Sequence, residues 1–355
     1  MPLLEPRTAG PGAQILTPIL AVLATLLAGG VLFFALGLNP FETIEEIFVA
    51  PLLDPFSRSE LLVKAAPLAL IGTGLAFGFR AGIWNIGAEG QFIVGALTGG
   101  AVGLAFWGVE AWFVLPLMAL AGALGGFLWA MIPALLRVRF QTNEILVSLM
   151  LVYVALNLLS AMVAGPLRDP DGFNFPESRM FHDAATLPIL IERSRVHIGV
   201  PIAFGIGLVA WLLYSTHVFG YKVRLMGAAP RAAVFAGVSP NGMVILCLGL
   251  SGALAGLAGV FEAAGPAGQL TRDGIANGYG FVAIIVAYLG RLHPFGVLLA
   301  ALALAVTEIG GDAAQVTLGL PAAATDVFQG MLLFFLLAFD TLTRYRVRLF
   351  QRRVA

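Results

Sequence analysis

The chain of 355 residues carries 20 Lys+Arg against 20 Asp+Glu, so its net charge is zero, and it is 59% hydrophobic but only 11% charged. Soluble domains carry about 25% charged residues; this composition lacks the polar surface such a fold needs, and its mean hydropathy of +0.93 points to lipid as the solvent. Neutrality gives no sign of a nucleic-acid partner, and a single cysteine, Cys247, excludes an intramolecular disulfide or a cysteine-cluster metal site.

A helix needs about 20 apolar residues to cross the hydrocarbon core. The first such run, 16–37, is too long for a signal-peptide core and follows only Arg7, so it predicts a retained span. Further spans are predicted at 61–79, 83–106, 112–136, 143–164, 198–215, 242–264, 279–291, 294–310 and 323–341. The total is about ten, within a range of eight to ten. The glycine-rich 83–106 run is the weakest as a single helix, and 279–291 and 294–310 are short enough to be re-entrant. Near-continuous apolar runs satisfy their backbone as helices. A barrel would instead show alternating segments of about ten residues. The expected class is an all-α polytopic membrane protein forming one transmembrane domain over 1–355.

Positive charge sets orientation, because cytoplasmic loops collect Lys and Arg. With the N-terminus inside, the inner side receives Arg7, Arg80, Arg137, Arg139, Lys222, Arg224, Arg231, Arg291, Arg344, Arg346, Arg348, Arg352 and Arg353. The outer side receives Arg58, Arg168, Arg179, Arg193, Arg195 and Arg272, and Lys64 falls within a span. An odd number of spans would break this pattern, so an even number with both termini cytoplasmic is expected.

Several segments stand out along the chain. In RAGIWNIGAEGQFIVGALTGG (80–100), Asn85, Glu89 and Gln91 interrupt an apolar stretch. A charge at the centre of a span costs about 2.5–3.5 kcal/mol on insertion scales. Glu89 must therefore be neutral, paired or facing a wet cavity, either lining a translocation path or locking helices together. The glycines at 82, 87 and 90 favour a broken helix start. Thr142 or Asn143 in QTNE (141–144) is placed to cap the next helix. The loop 165–197, mixing Pro, acids, Arg and aromatics, is too polar to span and is expected to cap the outer side.

The loop 216–241 holds a short helix-competent piece between Pro230 and Pro240 and suits docking to a cytosolic partner. Small residues at 249, 252, 256 and 259 read as a helix-packing face. Late in the chain Glu262, Glu308, Asp312 and Asp326, with Gln329, fall near the predicted outer ends of spans, where they would either ring a vestibule or simply sit at the interface.

No nucleotide-binding loop is present: neither lysine, in LLVKAAP or GYKVRLM, follows a Gly-rich phosphate cradle. The four histidines, His182, His197, His217 and His293, share no ligand spacing, and no cofactor or metal is expected. If the chain pumps a solute, the energy must come from an ion gradient or from a separate ATPase. A secondary transporter would show inverted repeats and discontinuous helices, and the echo of that pattern here is thin.

The run WNIGAEGQFIVGA (84–96) resembles the signature of bacterial ABC permeases of the simple-sugar and nucleoside class, within the ribose and branched-chain amino acid permease superfamily. TNEILVSLMLVYVALNLL (142–159) with GPLRDPDGFNFPES (165–178) looks like the longer permease associated with nucleoside-binding lipoproteins of the basic-membrane-protein type. GYKVRLMGAAPRAAVFAGVSP (220–240) and GFVAIIVAYLGRLHPFGVLLAALALA (280–305) are similar to the family as well. The resemblance runs from about residue 60 to near the end. It implies a second homologous permease, a cytosolic ATP-binding cassette ATPase and an extracytoplasmic substrate-binding protein or lipoprotein. It implies nucleoside import across the plasma membrane, with ribose-like sugars as the alternative cargo. It also places the ATPase-coupling contact around Arg224, Gly227, Ala228, Pro230, Arg231 and Ala232. No family motif assigns cargo-contacting residues. The path candidates Asn85, Glu89, Gln91, Glu262, Glu308 and Asp326 rest on membrane energetics alone.

Overall fold

The computed structural model describes residues 4–6 and 11–347, and side chains from 16 to 342. Arg7, Arg348, Arg352 and Arg353 lie outside the described residues, as do the side chains of Arg344 and Arg346. Fifteen helices follow in order: α1 (Pro11–Ala35), α2 (Pro40–Phe48), α3 (Ala50–Leu53), α4 (Pro55–Arg80), α5 (Ala88–Ala105), α6 (Val114–Phe140), α7 (Glu144–Ala164), α8 (Gly199–Thr216), α9 (Val218–Ala228), α10 (Pro230–Phe235), α11 (Pro240–Glu262), α12 (Arg272–Ile275), α13 (Tyr279–Leu289), α14 (Pro294–Leu318) and α15 (Ala322–Arg344). A short antiparallel pair, β1 (Leu4–Pro6) with β2 (Tyr345–Val347), is the sole β-ladder among the described residues.

Eight of the described helices are long and apolar enough to cross a membrane: α1, α4, α6, α7, α8, α11, α14 and α15. The 83–106 run is broken, since residues 81–87 are non-helical and α5 begins only at Ala88. The short 279–291 run is α13, with 11 residues. Expectation fails at 294–310: α14 continues for 25 residues to Leu318. Glu308 and Asp312 therefore sit inside this helix rather than beyond its end. Their charges made the apolar run look shorter than the helix that carries it.

The chain divides into two compact units, with the division falling inside α14: one holds 1–54 and 306–355, the other 55–305. In the smaller unit α1 packs on α15, and Phe33, Ile47, Ala314, Leu320, Ala324 and Phe328 form its buried core. Phe33 and Phe328 stack with ring centroids 6.0 Å apart.

In the larger unit α11 packs against α4, α5 and α6. Its most apolar α4 window is 89% buried, against 28% for α6 and 22% for α7. α4 is thus a core helix, whereas α6 and α7 leave apolar faces to lipid or a partner. The closest approach is made by glycine. A Cβ on Gly256 would overlap the backbone of Gly122 and Gly126, and one on Gly95 would overlap Gly256 itself. Where lipid is as apolar as any side chain, such backbone-to-backbone contact is a main source of helix association.

The larger unit has two distinguishable ends. At the Arg80 end, Gly227 of α9 lies against the Arg80 carbonyl, and Tyr214 of α8 packs edge-on to His293 at 5.4 Å. At the Glu60 end, the 165–197 segment folds over the α11–α12 connection: the Leu187 amide donates to the Ala264 carbonyl at 2.8 Å, and the Ser178 amide to Leu270 at 3.0 Å. Arg195 from this segment pairs with buried Glu60 of α4, with Nε to Oε1 at 3.0 Å. The 165–197 segment is therefore a packed cap.

Overpacking an interior typically costs 1–3 kcal/mol. Gly256→Leu, meeting backbone on two sides, is expected at or above the upper end of about 3 kcal/mol. Thermal unfolding in detergent checks this, with Gly205→Leu, which faces open space, as the control expected to retain the wild-type midpoint.

Candidate transport site and coupling surface

The non-helical 81–87 segment lies within the membrane fold, where every backbone group needs a protein partner. The partners are present. The Ile83 amide donates to Gly78 O at 2.8 Å, the Trp84 amide reaches Glu144 Oε1 at 3.5 Å, the Ile86 amide reaches Ser148 Oγ at 3.3 Å, and the Gly87 amide donates to Asn85 Oδ1 at 3.1 Å. Glu144 is in turn held by Arg137, and Asn143, rather than Thr142, caps α7 through the Ile145 amide at 2.9 Å.

Asn85 and Gln91 are brought together by this break. Their amides exchange two hydrogen bonds, Asn85 Nδ2 to Gln91 Oε1 at 2.8 Å and Gln91 Nε2 to Asn85 Oδ1 at 3.1 Å. Asn85 Nδ2 also donates to Ser251 Oγ on α11 at 2.9 Å. All three residues are buried. The knot joins the α4–α5 break to the central helix.

Glu89 has separate partners. Its carboxylate accepts from the Gly278 amide at 2.9 Å and the Gly280 amide at 2.6 Å, the first N–H groups of α13. It also lies in the first turn of α5. Two helix N-termini thus converge on one carboxylate, and their dipoles favour its negative charge. Gly280 permits this approach, since a Cβ there would overlap the Glu89 backbone.

The depth of this contact follows from α13. Tyr288, near its end, stacks on Trp84 (6.2 Å) and Phe79 (5.7 Å) at the Arg80 end. Eleven residues at 1.5 Å rise place its beginning about 16 Å inward, near half the 30 Å hydrocarbon thickness. α13 is a half-helix whose N-terminus points into the interior. Tyr279, its first residue, packs on Phe92 at 5.5 Å and lies 5.2 Å below the Lys64 ammonium.

The other path candidates divide between the units. Glu262 is buried at the end of α11, where the helix widens into a π-helical turn, Ala263–Ala267. Such turns recur at functional positions. Glu308 is half-buried on α14, and Asp326 is exposed on α15. Of the other late polar residues, Gln329 is buried, and Asp312 accepts from Gln315 Nε2 at 3.3 Å.

The coupling candidates lie on α9 and α10. Val223 and Ala233 are fully buried against Tyr214, Met243 and Cys247, which seats both short helices on the core. Arg224 turns inward, donating to Tyr214 O at 2.6 Å, with its guanidinium 4.9 Å from that ring. It anchors α9 to the last turn of α8. Ala228, Pro230, Arg231 and Ala232 face outward, while Gly227, exposed on one side, packs against the Arg80 carbonyl on the other. Two residues not singled out from sequence join them: Val234 and Phe235, the latter 92% exposed. Their position in PRAAVF, opposite the buried Ala233, is a helical-face signal too short to read without the fold.

His197 closes the cap. Its ring is wedged between Gly199 and Gly265, and Nδ1 is buried without a hydrogen bond. Burial lowers its pKa from 6.5 to about 4. The unfolded chain therefore binds the extra proton first. Stability is unaffected by this group above pH 6.5 and falls as pH drops toward about 4. Melting profiles across that window should show a shallower decline for His197→Gln than for the wild type. At Glu89, removal of the acceptor leaves two interior amides unsatisfied, each at a cost of about 1–3 kcal/mol; this predicts strong destabilisation for Glu89→Ala and a partial rescue by Glu89→Gln, read by thermal unfolding.

A family model for the branched-chain amino acid transport system permease component matches residues 57–337. The glucose ABC transporter permease protein of Haloferax volcanii is 39% identical, with 99% of this chain and 94% of the relative covered. Two guanosine ABC transporter permease proteins of Bacillus subtilis are each 30% identical; one match covers 91% of this chain and 93% of the relative, the other 68% and 77%. No solved structure matches. ABC permeases are non-catalytic, multi-pass plasma-membrane components that work with a separate ATPase and a substrate-binding partner. The broken helix start and the eight described helices long and apolar enough to cross a membrane fit this relationship: the chain belongs to the permease-component family of ABC transport systems.

Proposed function

We propose that this permease imports a neutral, hydroxyl-rich solute, a nucleoside first, across the plasma membrane by alternating access. The observation that carries the neutral reading is the Glu89 contact. An interior half-helix N-terminus commonly receives an anionic substrate group. Here the chain's own carboxylate fills that place with two amide hydrogen bonds. A cargo carboxylate, such as that of an amino acid, would have to displace it. The named cargo of the guanosine relatives supports the nucleoside reading. Glucose or a similar simple sugar is the second reading, favoured by the glucose permease relative.

In this proposal both termini and the Arg80 end face the cytosol, and the 165–197 cap faces the binding protein. ATP binding on the partner pushes the exposed α9–α10 surface. Because Val223, Ala233 and Arg224 fix that surface to α8 and α11, the push reaches the spanning helices. Asn85, Glu89 and Gln91 serve the path by holding its broken helices in place. Glu262, Glu308 and Asp326 remain its assigned acids. A second permease completes the pathway, as the paired guanosine permeases of one organism suggest.

In proteoliposomes holding this chain with its ATPase, second permease and binding protein, ATP-driven uptake of guanosine is expected, with glucose as the alternative; accumulation of leucine instead would overturn the neutral reading. Phe235→Asp and Arg231→Glu should insert normally yet lose cargo-stimulated ATP hydrolysis by at least tenfold, about the effect of 1.4 kcal/mol at an interface. Wild-type stimulation in both would remove the coupling assignment.

A further inference from the structure

The Arg80 end gathers hydrogen-bond donors from three separate elements, two of them guanidinium cations and the third a neutral imidazole. Arg80 ends α4 and is exposed. Arg224 comes from α9, and His293 from the turn between α13 and α14. Two of them flank one side chain: the Arg224 guanidinium lies 4.9 Å from the Tyr214 ring, and the His293 ring lies 5.4 Å from it. The backbone of Gly227, one turn after Arg224, touches the Arg80 carbonyl. Among the described residues, no ion pair engages Arg80 or Arg224. Glu144, which reaches this end through Trp84, is already held by Arg137. Among the described residues, the two guanidinium charges thus have no acidic partner. His293 reports the same field: burial first, then the charges of Arg80 and Arg224, hold its imidazole below the ordinary range.

The level of the cluster in the bilayer is marked by aromatic side chains. Trp84 stacks with Tyr288 at 6.2 Å, and Trp211 packs on Phe295 at 5.6 Å, with Trp84, Trp211 and Phe295 partly exposed. Tryptophan and tyrosine collect at the headgroup level of a membrane, and basic pockets between spans at that level suit lipid phosphates. A free phosphate in bulk water would need no such belt.

We propose that Arg80, Arg224 and His293 form a binding site for the phosphate headgroup of an anionic phospholipid, seated where α4, α8 and α9 meet. The lipid ties the base of the α9–α10 surface to the ends of the spanning helices. This assignment is independent of the cargo and of the ATPase contact.

The test titrates the purified full-length chain in detergent with phosphatidylglycerol or phosphatidylcholine and counts bound lipid by native mass spectrometry. Each basic residue near a lipid surface contributes about 1 kcal/mol, or about fivefold in affinity. Phosphatidylglycerol should be retained over phosphatidylcholine. Arg80→Gln should weaken it about fivefold, and Arg80→Gln with Arg224→Gln about 25-fold. Arg139→Gln, an equal loss of charge outside the cluster, should leave retention unchanged. Should the double variant fail to fold, Arg80→Gln alone decides, since this exposed side chain makes no ion pair among the described residues. Equal retention of the two lipids, an unchanged Arg80→Gln variant, or a loss in Arg139→Gln matching that in Arg80→Gln would overturn the site. Full displacement by inorganic phosphate at matched concentration would overturn the lipid as its ligand.

Discussion

Inside a bilayer an unpaired backbone amide has no water to turn to, and the larger unit is organised around that constraint. Its two irregular stretches, 81–87 and the approach to α13, would each leave donors exposed to hydrocarbon. One is satisfied by Asn85, Ser148 and Glu144, the other by the carboxylate of Glu89. Since the carboxylate comes from the helix that follows the first break, the two irregularities support each other. Removing Glu89 would leave two donors at the start of α13 without partners, and the half-helix would lose the contact that fixes where it begins.

Glycine makes this arrangement possible at close quarters. The backbone contacts among Gly95, Gly122, Gly126 and Gly256 bring α5, α6 and α11 together. With those helices fixed, Ser251 on α11 meets Asn85, and Tyr279 meets Phe92. Packing geometry and polar satisfaction are therefore one design: the polar knot would not reach its partners if bulkier residues held the helices further apart.

Much of this was legible beforehand, and the parts that were not have physical reasons. The all-helical class, the break near Gly82 and Gly87, the short helix at 279–289 and the packing role of the α11 glycines follow from hydropathy, glycine spacing and membrane energetics. The segment singled out for Asn85, Glu89 and Gln91 is the one that holds the interior together, although sequence could not pair Glu89 with amides some 190 positions away. The full length of α14 was hidden because Glu308 and Asp312 look like loop residues to any hydropathy average. The family resemblance places Arg224 in the coupling contact, yet its side chain turns back to the α8 carbonyl, a contact set by chain folding. Phe235 carries no signal alone, since its exposure depends on Ala233 being buried beside it.

The burial of α4 bears on how the protein is made. Its most apolar window has a mean hydropathy of 1.7, yet 89% of it is buried in the finished fold. Lipid solubility therefore matters chiefly during insertion, before its neighbours arrive. About 160 residues separate the end of α4 from the start of α11, its central partner. At a synthesis rate of about 5–20 residues per second, the interval is on the order of ten to thirty seconds. During that time α4, with Glu60 and Lys64 near its start, must remain in the membrane without the helix that covers it. Its hydrophobicity serves as a temporary solvent match, and its glycines, once α11 arrives, convert a tolerated guest of the bilayer into the interior of a protein.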